Sequence, residues 1–163
     1  MQLPSNVVPL LEQVRRRIPV RNVPLDFWQI ESGPRILDGF MDLASVLTLS
    51  DLREEDVPHG YVVLACLFSW EADCQADGWG AFANVGEEEF ERICSFYSEV
   101  GLEAEAKSLV EQMRVFKAEP NNSEALDRAV SSTRHELSGD LDRLEYLTQY
   151  FCDHADQLLY AGA

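Results

Sequence analysis

The amino-acid sequence predicts an all-α protein, a single-domain multi-helix bundle around a buried central helix at about residues 58–75, followed by a helical hairpin. Apolar residues recur at three- and four-residue spacing through most of the 163 residues. The stretch from Tyr61 to Phe68 is apolar on every side of a helix, which is typical of a helix buried by its neighbours. Because no internal repeat or linker-like segment divides the chain, residues 1–163 are expected to form one acidic helical domain.

The N-terminal segment predicts a short basic helix followed by a proline-rich connection at residues 19–34. Its apolar positions follow a helical period: Val7, Leu10, Leu11, Val14 and Ile18. Four arginines against Glu12 give residues 1–21 a charge of +3, and they are Arg15, Arg16, Arg17 and Arg21. We therefore expect this end to dock on an acidic surface, either its own or that of a second subunit. Within the connection, residues 25–30 fit either a brief strand or a helical turn.

Two further helices are predicted before the hairpin. The first begins at Pro34, and its apolar face consists of Ile36, Leu37, Phe40, Leu43, Val46 and Leu47. The second is the central helix, from about Pro58 to Gln75. Its start at Tyr61-Val62-Val63 also favours a strand, but about 18 residues without a breaker favour a helix. Gly78 and Gly80 are expected to end it.

The C-terminal half predicts the hairpin and two more helices. The first arm presents Phe90, Ile93, Tyr97 and Val100, and the second presents Ala106, Leu109, Val110, Met113 and Phe116. Gly101 is placed to cap the first arm in the left-handed conformation. A further helix is expected from Asn122 or Ser123 to about Leu137. The last begins near Ser138-Gly139-Asp140 and presents Leu141, Leu144, Leu147, Phe151 and Leu158.

The net charge restricts the function classes. With 13 Lys and Arg against 29 Asp and Glu, the formal charge is −16. This balance argues against direct binding to nucleic acid or to an anionic membrane, because phosphate contacts need cations. No Lys or Arg occurs between Arg53 and Arg92, so the ten acids of that window have no counter-charge within it. They are Glu54, Glu55, Asp56, Glu71, Asp73, Asp77, Glu87, Glu88, Glu89 and Glu91.

Motifs for chemistry are missing from the sequence. His135-Glu136 lacks the second histidine of a zinc-protease helix, and no nucleophile elbow or phosphate-binding glycine loop occurs. The four cysteines show no CxxC spacing and lie inside apolar helical patterns, where a free cysteine behaves as a small hydrophobe, so we expect a reducing cytoplasm. No apolar run reaches the roughly 20 residues that span a bilayer. We therefore predict no catalytic residue, no cofactor, no metal and no membrane contact, and expect a protein that is not an enzyme.

The acids near helix ends and turns are the candidate partner-binding residues, together with one tryptophan: Asp73, Asp77, Trp79, Glu87, Glu88, Glu89, Glu91, Glu99 and Glu103. A basic DNA-binding protein is the expected partner, because the carboxylates act together as a charge surface. Trp79 shares a helical face with Phe82 and either fills the junction before the hairpin or serves as an exposed aromatic anchor. The alternative function is an antitoxin or immunity-type protein that neutralises one specific basic partner.

The stretch from Glu71 to Phe116, with Gly78-Trp79, Phe82, Asn84 and the capping Gly101, resembles the DNA-mimic protein nineteen family, which is otherwise described as a domain of unknown function. Ala76, Asp77 and Ala81 stand where the family pattern has Asn, Gly and Gln. The resemblance implies a helical homodimer whose acidic face occupies the DNA-binding surface of a transcription regulator.

Overall fold

The computed structural model describes residues 1–18, 22–30, 34–132, 137 and 139–162, and this part of the chain is all-α. The helices are α1 (Val8–Arg17), α2 (Pro34–Thr48), α3 (His59–Asp77), α4 (Ala81–Asn84), α5 (Glu87–Glu99), α6 (Glu103–Ala118), α7 (Ser123–Ser132), α8 (Asp140–Asp153) and α9 (Ala155–Leu158). The described residues contain no β-strand, only an isolated antiparallel bridge between Gln2 and Ala161. The predicted fold class is confirmed.

The chain forms two compact units. The first comprises Met1–Ser69 and Leu144–Ala163, and the second comprises Trp70–Arg143. The boundaries fall inside α3 and inside α8, so each of these helices contributes residues to both units. That residues 1–163 form a single domain stays a prediction, and a test is given in the Discussion.

The central helix is α3, two residues longer at its C-terminal end than predicted. From Gly60 to Ala72 no residue is exposed, as expected for a helix that is apolar all round. The polar hydroxyl of Tyr61 can be buried because it donates a hydrogen bond of 2.8 Å to the carbonyl oxygen of Leu159. Exposure begins at Asp73, after which the carboxylate-rich end of the helix lies in solvent.

An aromatic cluster forms the core of the first unit. Residues 27–29 form a single 3₁₀ turn, which settles the alternative between strand and turn. The turn places Phe27 and Trp28 against Phe40 of α2, with ring centroids 5.1 and 6.2 Å away. Phe68 and Phe151 extend the cluster at 5.6 and 6.0 Å from Phe40. Phe40 is fully buried, and its ring lies at the centre of this aromatic cluster.

The basic N-terminal helix contacts an acidic residue of its own chain. Pro9 lies in the first turn of α1, where a missing N–H costs nothing. Arg17 pairs with Asp42 of α2 at 3.0 Å, and Arg15 pairs with Glu12 at 2.6 Å. Arg17 thus reaches one acidic side chain outside α1, and docking of the basic end on an acidic surface stays a prediction. Arg21 and Pro19 lie outside the described residues.

Gly101 closes the hairpin of α5 and α6 as predicted. Its φ of 87° is left-handed, a conformation in which a Cβ is strained. The N–H of Gly101 donates to Ser98 O at 3.1 Å and that of Leu102 to Tyr97 O at 2.8 Å. These two bonds are the Schellman pair, which satisfies the last carbonyls of α5.

Two predicted core positions are exposed. Val110 is 54% exposed and Leu141 is 64% exposed. Val110 follows the buried Leu109, and one residue turns a helix by about 100°, which carries its side chain to the outer face of α6. Leu141 lies in the first turn of α8, ahead of the buried Leu144. The helix expected to end near Leu137 is described over Ser123–Ser132, and its predicted end stays a prediction because residues 133–136 and Ser138 lie outside the described residues.

Candidate acidic binding surface

Helix α5 separates its side chains into an apolar and an acidic face. The buried face consists of Phe90, Ile93, Phe96, Tyr97 and Val100. The opposite face is exposed and consists of Glu87, Glu88, Glu91, Ser95, Ser98 and Glu99. Arg92, the cation of α5, is half-buried and borders this face, which at 1.5 Å per residue is about 18 Å long. We call these six residues the α5 face.

The start of α5 favours carboxylates for a local reason. Gly86 precedes the helix in an extended conformation, and no side chain caps the first turn. Three glutamates, Glu87, Glu88 and Glu89, occupy that turn, where the positive end of the helix dipole stabilises negative charge. All three are exposed. The three glutamates therefore stabilise the start of α5 as well as adding negative charge to the surface.

The exposed end of α3 adds two carboxylates close to this turn. Asp73 and Asp77 are one helical turn apart and both are exposed. Asn84 of α4 donates a hydrogen bond of 3.1 Å to Asp77 Oδ2. Because Asn84 is only three residues before Glu87, at most about 11 Å of chain separates it from the α5 face. The Asn84–Asp77 bond thus ties the exposed end of α3 to the short segment that leads into α5.

The remaining predicted acids lie elsewhere. Glu99 and Glu103 flank the Gly101 turn at the other end of α5, about 18 Å from Glu87. Glu99 still belongs to the α5 face, whereas Glu103 lies in the first turn of α6. The nine candidate residues therefore form a larger group at one end of the hairpin and a pair at the other.

The expectation that the acids between Arg53 and Arg92 have no counter-charge is wrong for four of them. Arg53 itself pairs with Glu55 at 3.0 Å and with Asp56 at 2.9 Å. The hydrogen bond from Arg53 lowers the pKa of Asp56. Lys117 approaches Glu87 at 3.4 Å, and Arg143 pairs with Glu71. The cations come from the window's edge or from distant helices, which a count within the window misses.

Five candidate acids keep their charge exposed. Asp73, Glu88, Glu89, Glu91 and Glu103 make no ion pair with any residue that the structure describes. Each of the five is exposed. Exposed carboxylates without ion pairs repel one another at low ionic strength. Binding of a cationic surface therefore reduces this electrostatic repulsion.

A basic strip borders the acidic surface and was not predicted. Lys107, Arg114 and Lys117 share the exposed face of α6 with Glu103 and Val110. Arg114 pairs with Glu111 at 2.6 Å, so part of this positive charge is neutralised locally. The spacing of these cations by seven and three residues, which puts them on one helical face, was a readable signal, but the acids of the same segment obscured it.

The exposure of Trp79 matches neither of its two predicted roles fully, since a residue that fills the junction is buried and an aromatic anchor is exposed. Trp79 is half-buried, with its ring centroid 5.8 Å from that of Phe82. Together with Phe82 and Cys74 it lines a cavity of about 260 Å³. Glu105, Ser108 and Arg143 also line that cavity, and Gln112 donates a hydrogen bond of 2.9 Å to Ser108.

A buried ionic network supports the second unit, and sequence reasoning placed its central residue on the surface. Glu71 is 0% exposed and accepts two hydrogen bonds from Arg143, at 2.6 Å from Nε and 2.9 Å from Nη2. The hydroxyl of Tyr97 donates to the same carboxylate, and Asp140 accepts from Arg143 Nη2 at 2.5 Å. The charge of Glu71 is therefore used inside the unit and is not available to a partner.

Burial determines how the groups of this network titrate. It raises the pKa of Glu71, an effect that the hydrogen bonds and charge of Arg143 oppose. Burial and the charge of Glu71 together raise the pKa of Cys74, and burial raises those of Cys94 and Cys152 to about 11. These three thiols are protonated at neutral pH, a state in which a cysteine is a poor nucleophile.

Alkaline titration is expected to show Tyr97 as a late-ionising tyrosine. Burial, followed by the charge of Glu71, raises its pKa well above the ordinary 10.0. The unfolded chain loses this proton near pH 10 and the folded chain retains it, so folding stability is lost as pH rises above that value. In a titration followed by tyrosinate absorbance, Tyr97→Phe should reduce the step that coincides with unfolding. Reduction of the earlier, reversible step instead would contradict burial of Tyr97.

The geometry defines this chain as an acidic, helical protein with an exposed anionic face. No protein-family model matches the chain, and neither a curated protein nor a solved structure matches it. The resemblance to the DNA-mimic protein nineteen family therefore stays a prediction. Among the described residues, no helix combines the length and apolar character needed to cross a membrane.

Proposed function

We propose that this chain is a non-enzymatic binding protein whose α5 face occupies the basic surface of a DNA-binding protein such as a transcription regulator. The observation that carries the proposal is the α5 face itself. It holds four glutamates and two serines, and one of these glutamates, Glu87, forms an ion pair with Lys117 at 3.4 Å. A surface of this kind attracts a cationic partner by steering and by direct contact.

The charge density of the face supports mimicry of one DNA strand. Over its roughly 18 Å, a single strand of B-DNA carries about five phosphates, at one per 3.4 Å, and the full duplex carries about eleven. The α5 face carries four carboxylates over that length and neighbouring Glu89 makes five, while Lys117 offsets one of them by its pair with Glu87. One copy of the face thus approaches the charge of one strand, and a duplex-like density needs a second face. A homodimer, which the family resemblance implies, supplies one.

A cellular setting follows from the same proposal. DNA-binding regulators and free thiols share a reducing compartment, and Cys74, Cys94 and Cys152 are unpaired. We therefore infer that the protein acts in the cytoplasm. The fraction of the regulator that it binds would then follow the concentration of this protein.

The test uses the fraction of a source-cell lysate that binds a duplex-DNA column. This fraction is passed over the immobilised protein at about 50 mM salt, and bound proteins are displaced with duplex DNA or with about 200 mM salt. We expect retention by the native chain and loss of retention when Glu87, Glu88, Glu91 and Glu99 are changed to Gln. The matched control changes four other exposed glutamates to Gln and should retain binding. They are Glu54, Glu55, Glu124 and Glu145.

The control separates a specific face from total charge. Both variants lose four negative charges, so net charge alone predicts equal weakening. Equal retention by the two variants, or binding that duplex DNA fails to displace, would overturn the proposal. Capture of a single non-DNA-binding protein would instead favour the antitoxin or immunity-type alternative.

A further inference from the structure

An apolar groove runs beside the acidic surface. It lies between α4, α5 and α6 within the second unit and has a volume of about 710 Å³. Its apolar lining includes Phe82, Phe90, Met113 and Phe116, and Val110 at its edge is 54% exposed. Drug- and peptide-binding sites are typically concave and lined mainly by apolar and aromatic side chains, as this groove is.

The two rims of the groove differ in charge. On the α5 side the rim carries Glu87 and Glu91, and on the α6 side it carries Arg114 and Lys117. Both cations are already matched within the chain, Arg114 by Glu111 at 2.6 Å and Lys117 by Glu87 at 3.4 Å. Glu91, in contrast, makes no ion pair with a described residue. The unmatched charge at the groove is thus negative and lies on the α5 side.

We propose that this groove receives one amphipathic helix of the basic partner, with its apolar side chains on the groove floor and its Lys and Arg residues along α5. The inference rests on the proposed function, since it identifies the element that the partner presents to the α5 face. Helices dock in this way through apolar anchors at i, i+3, i+4 and i+7. The described residues offer no strand edge to which a peptide strand would add.

Charge and apolar contact then have separate roles. Glu88, Glu91 and Glu99 increase the rate of encounter and orient the helix, because exposed charges act at a distance. The groove holds the helix, because desolvated apolar anchors dominate the affinity of an interface. A purely electrostatic surface lacks this second contribution and binds any polycation of equal charge equally well.

The experiment compares two synthetic peptides by fluorescence anisotropy. One has Leu at i, i+3, i+4 and i+7 with Lys along one flank, and the other is a scrambled isomer of the same composition and charge. We expect the native chain to bind the amphipathic peptide at least about tenfold more tightly, the effect of one or more buried anchors. Val110→Asp should abolish this preference, although its added negative charge favours both peptides.

Leu141→Asp is the matched control, because Leu141 is also exposed and lies in the first turn of α8, outside the groove lining. It should keep the preference. Equal affinity of the native chain for both peptides, or a preference that survives in Val110→Asp, overturns the groove proposal. If both peptides bind equally and the α5 glutamine variant loses both, the acidic binding function stands without the groove. If neither peptide binds and the DNA-binding fraction is not retained, both proposals fall.

Discussion

Replacement of Arg143 by methionine is expected to lower the free energy of unfolding by about 3–5 kcal/mol, the usual result of removing one partner from a buried ion pair. The substitution leaves the carboxylate of Glu71 fully buried with the Tyr97 hydroxyl as its remaining described donor. Methionine has a similar length, so lost charge and not lost volume is the main change. Urea denaturation followed by circular dichroism measures the effect.

Removing the whole network should cost far less than breaking it. In the triple variant Glu71→Leu, Arg143→Met, Tyr97→Phe, no buried charge or hydroxyl is left without a partner. Apolar replacement of complete buried ion pairs is often neutral or stabilising. We therefore expect the triple variant to unfold at a higher urea concentration than Arg143→Met alone. If the losses simply add, the pair does not act as a unit and this account of the network is wrong.

The chain supplies an exposed ion pair of the same residue types as a control. Arg114 binds Glu111 on α6 with distances of 2.6 and 2.8 Å, so its geometry is as good as that of the buried pair. Arg114 is 68% exposed in its side chain, whereas Arg143 is 11% exposed. Because water screens the exposed pair, Arg114→Met should change stability far less. Equal effects of the two substitutions would show that burial does not control the energetics.

Helices were predictable where local chemistry alone determines them. The left-handed cap at Gly101 needs only a glycine after an apolar period, and α5 and α6 lie on either side of it as predicted. The all-round apolar character of α3 likewise requires burial whatever surrounds it. Exposure of Val110 and Leu141 was not predictable in this way, because an apolar residue at the edge of a helical face is buried only if a neighbouring element covers it.

Individual members of the acidic surface were predictable, but their pairing was not. Exposure of the α5 acids follows from the helical period of Phe90, Ile93 and Tyr97. The partner of Glu71 lies 72 residues away, and sequence spacing carries no information on contacts across that distance. Asp73 and Glu71 are both acids of α3 two residues apart, yet a turn of about 200° places one in solvent and one in the core. Tertiary packing decides between them.

Truncation of Phe40 to alanine is expected to destabilise the protein by about 3–5 kcal/mol. Phe40 is 0% exposed, and its ring lies within 5.1–6.2 Å of four aromatic rings in the first unit. Neighbours of this size relax only partly into the space left by a benzyl group, so a cavity remains. Leu49→Ala in the loop after α2 is the control, because Leu49 is 83% exposed and should tolerate truncation.

The same variant tests whether the two compact units unfold together. Helices α3 and α8 each contribute residues to both units, and propagation along a helix couples the folding of its turns. We therefore expect Phe40→Ala to shift one common transition, with equal calorimetric and van't Hoff enthalpies. Arg143→Met, which alters the second unit, should shift that same transition. Two separate transitions, with each substitution moving only one of them, would show that residues 1–163 form two domains, since only independent units melt independently.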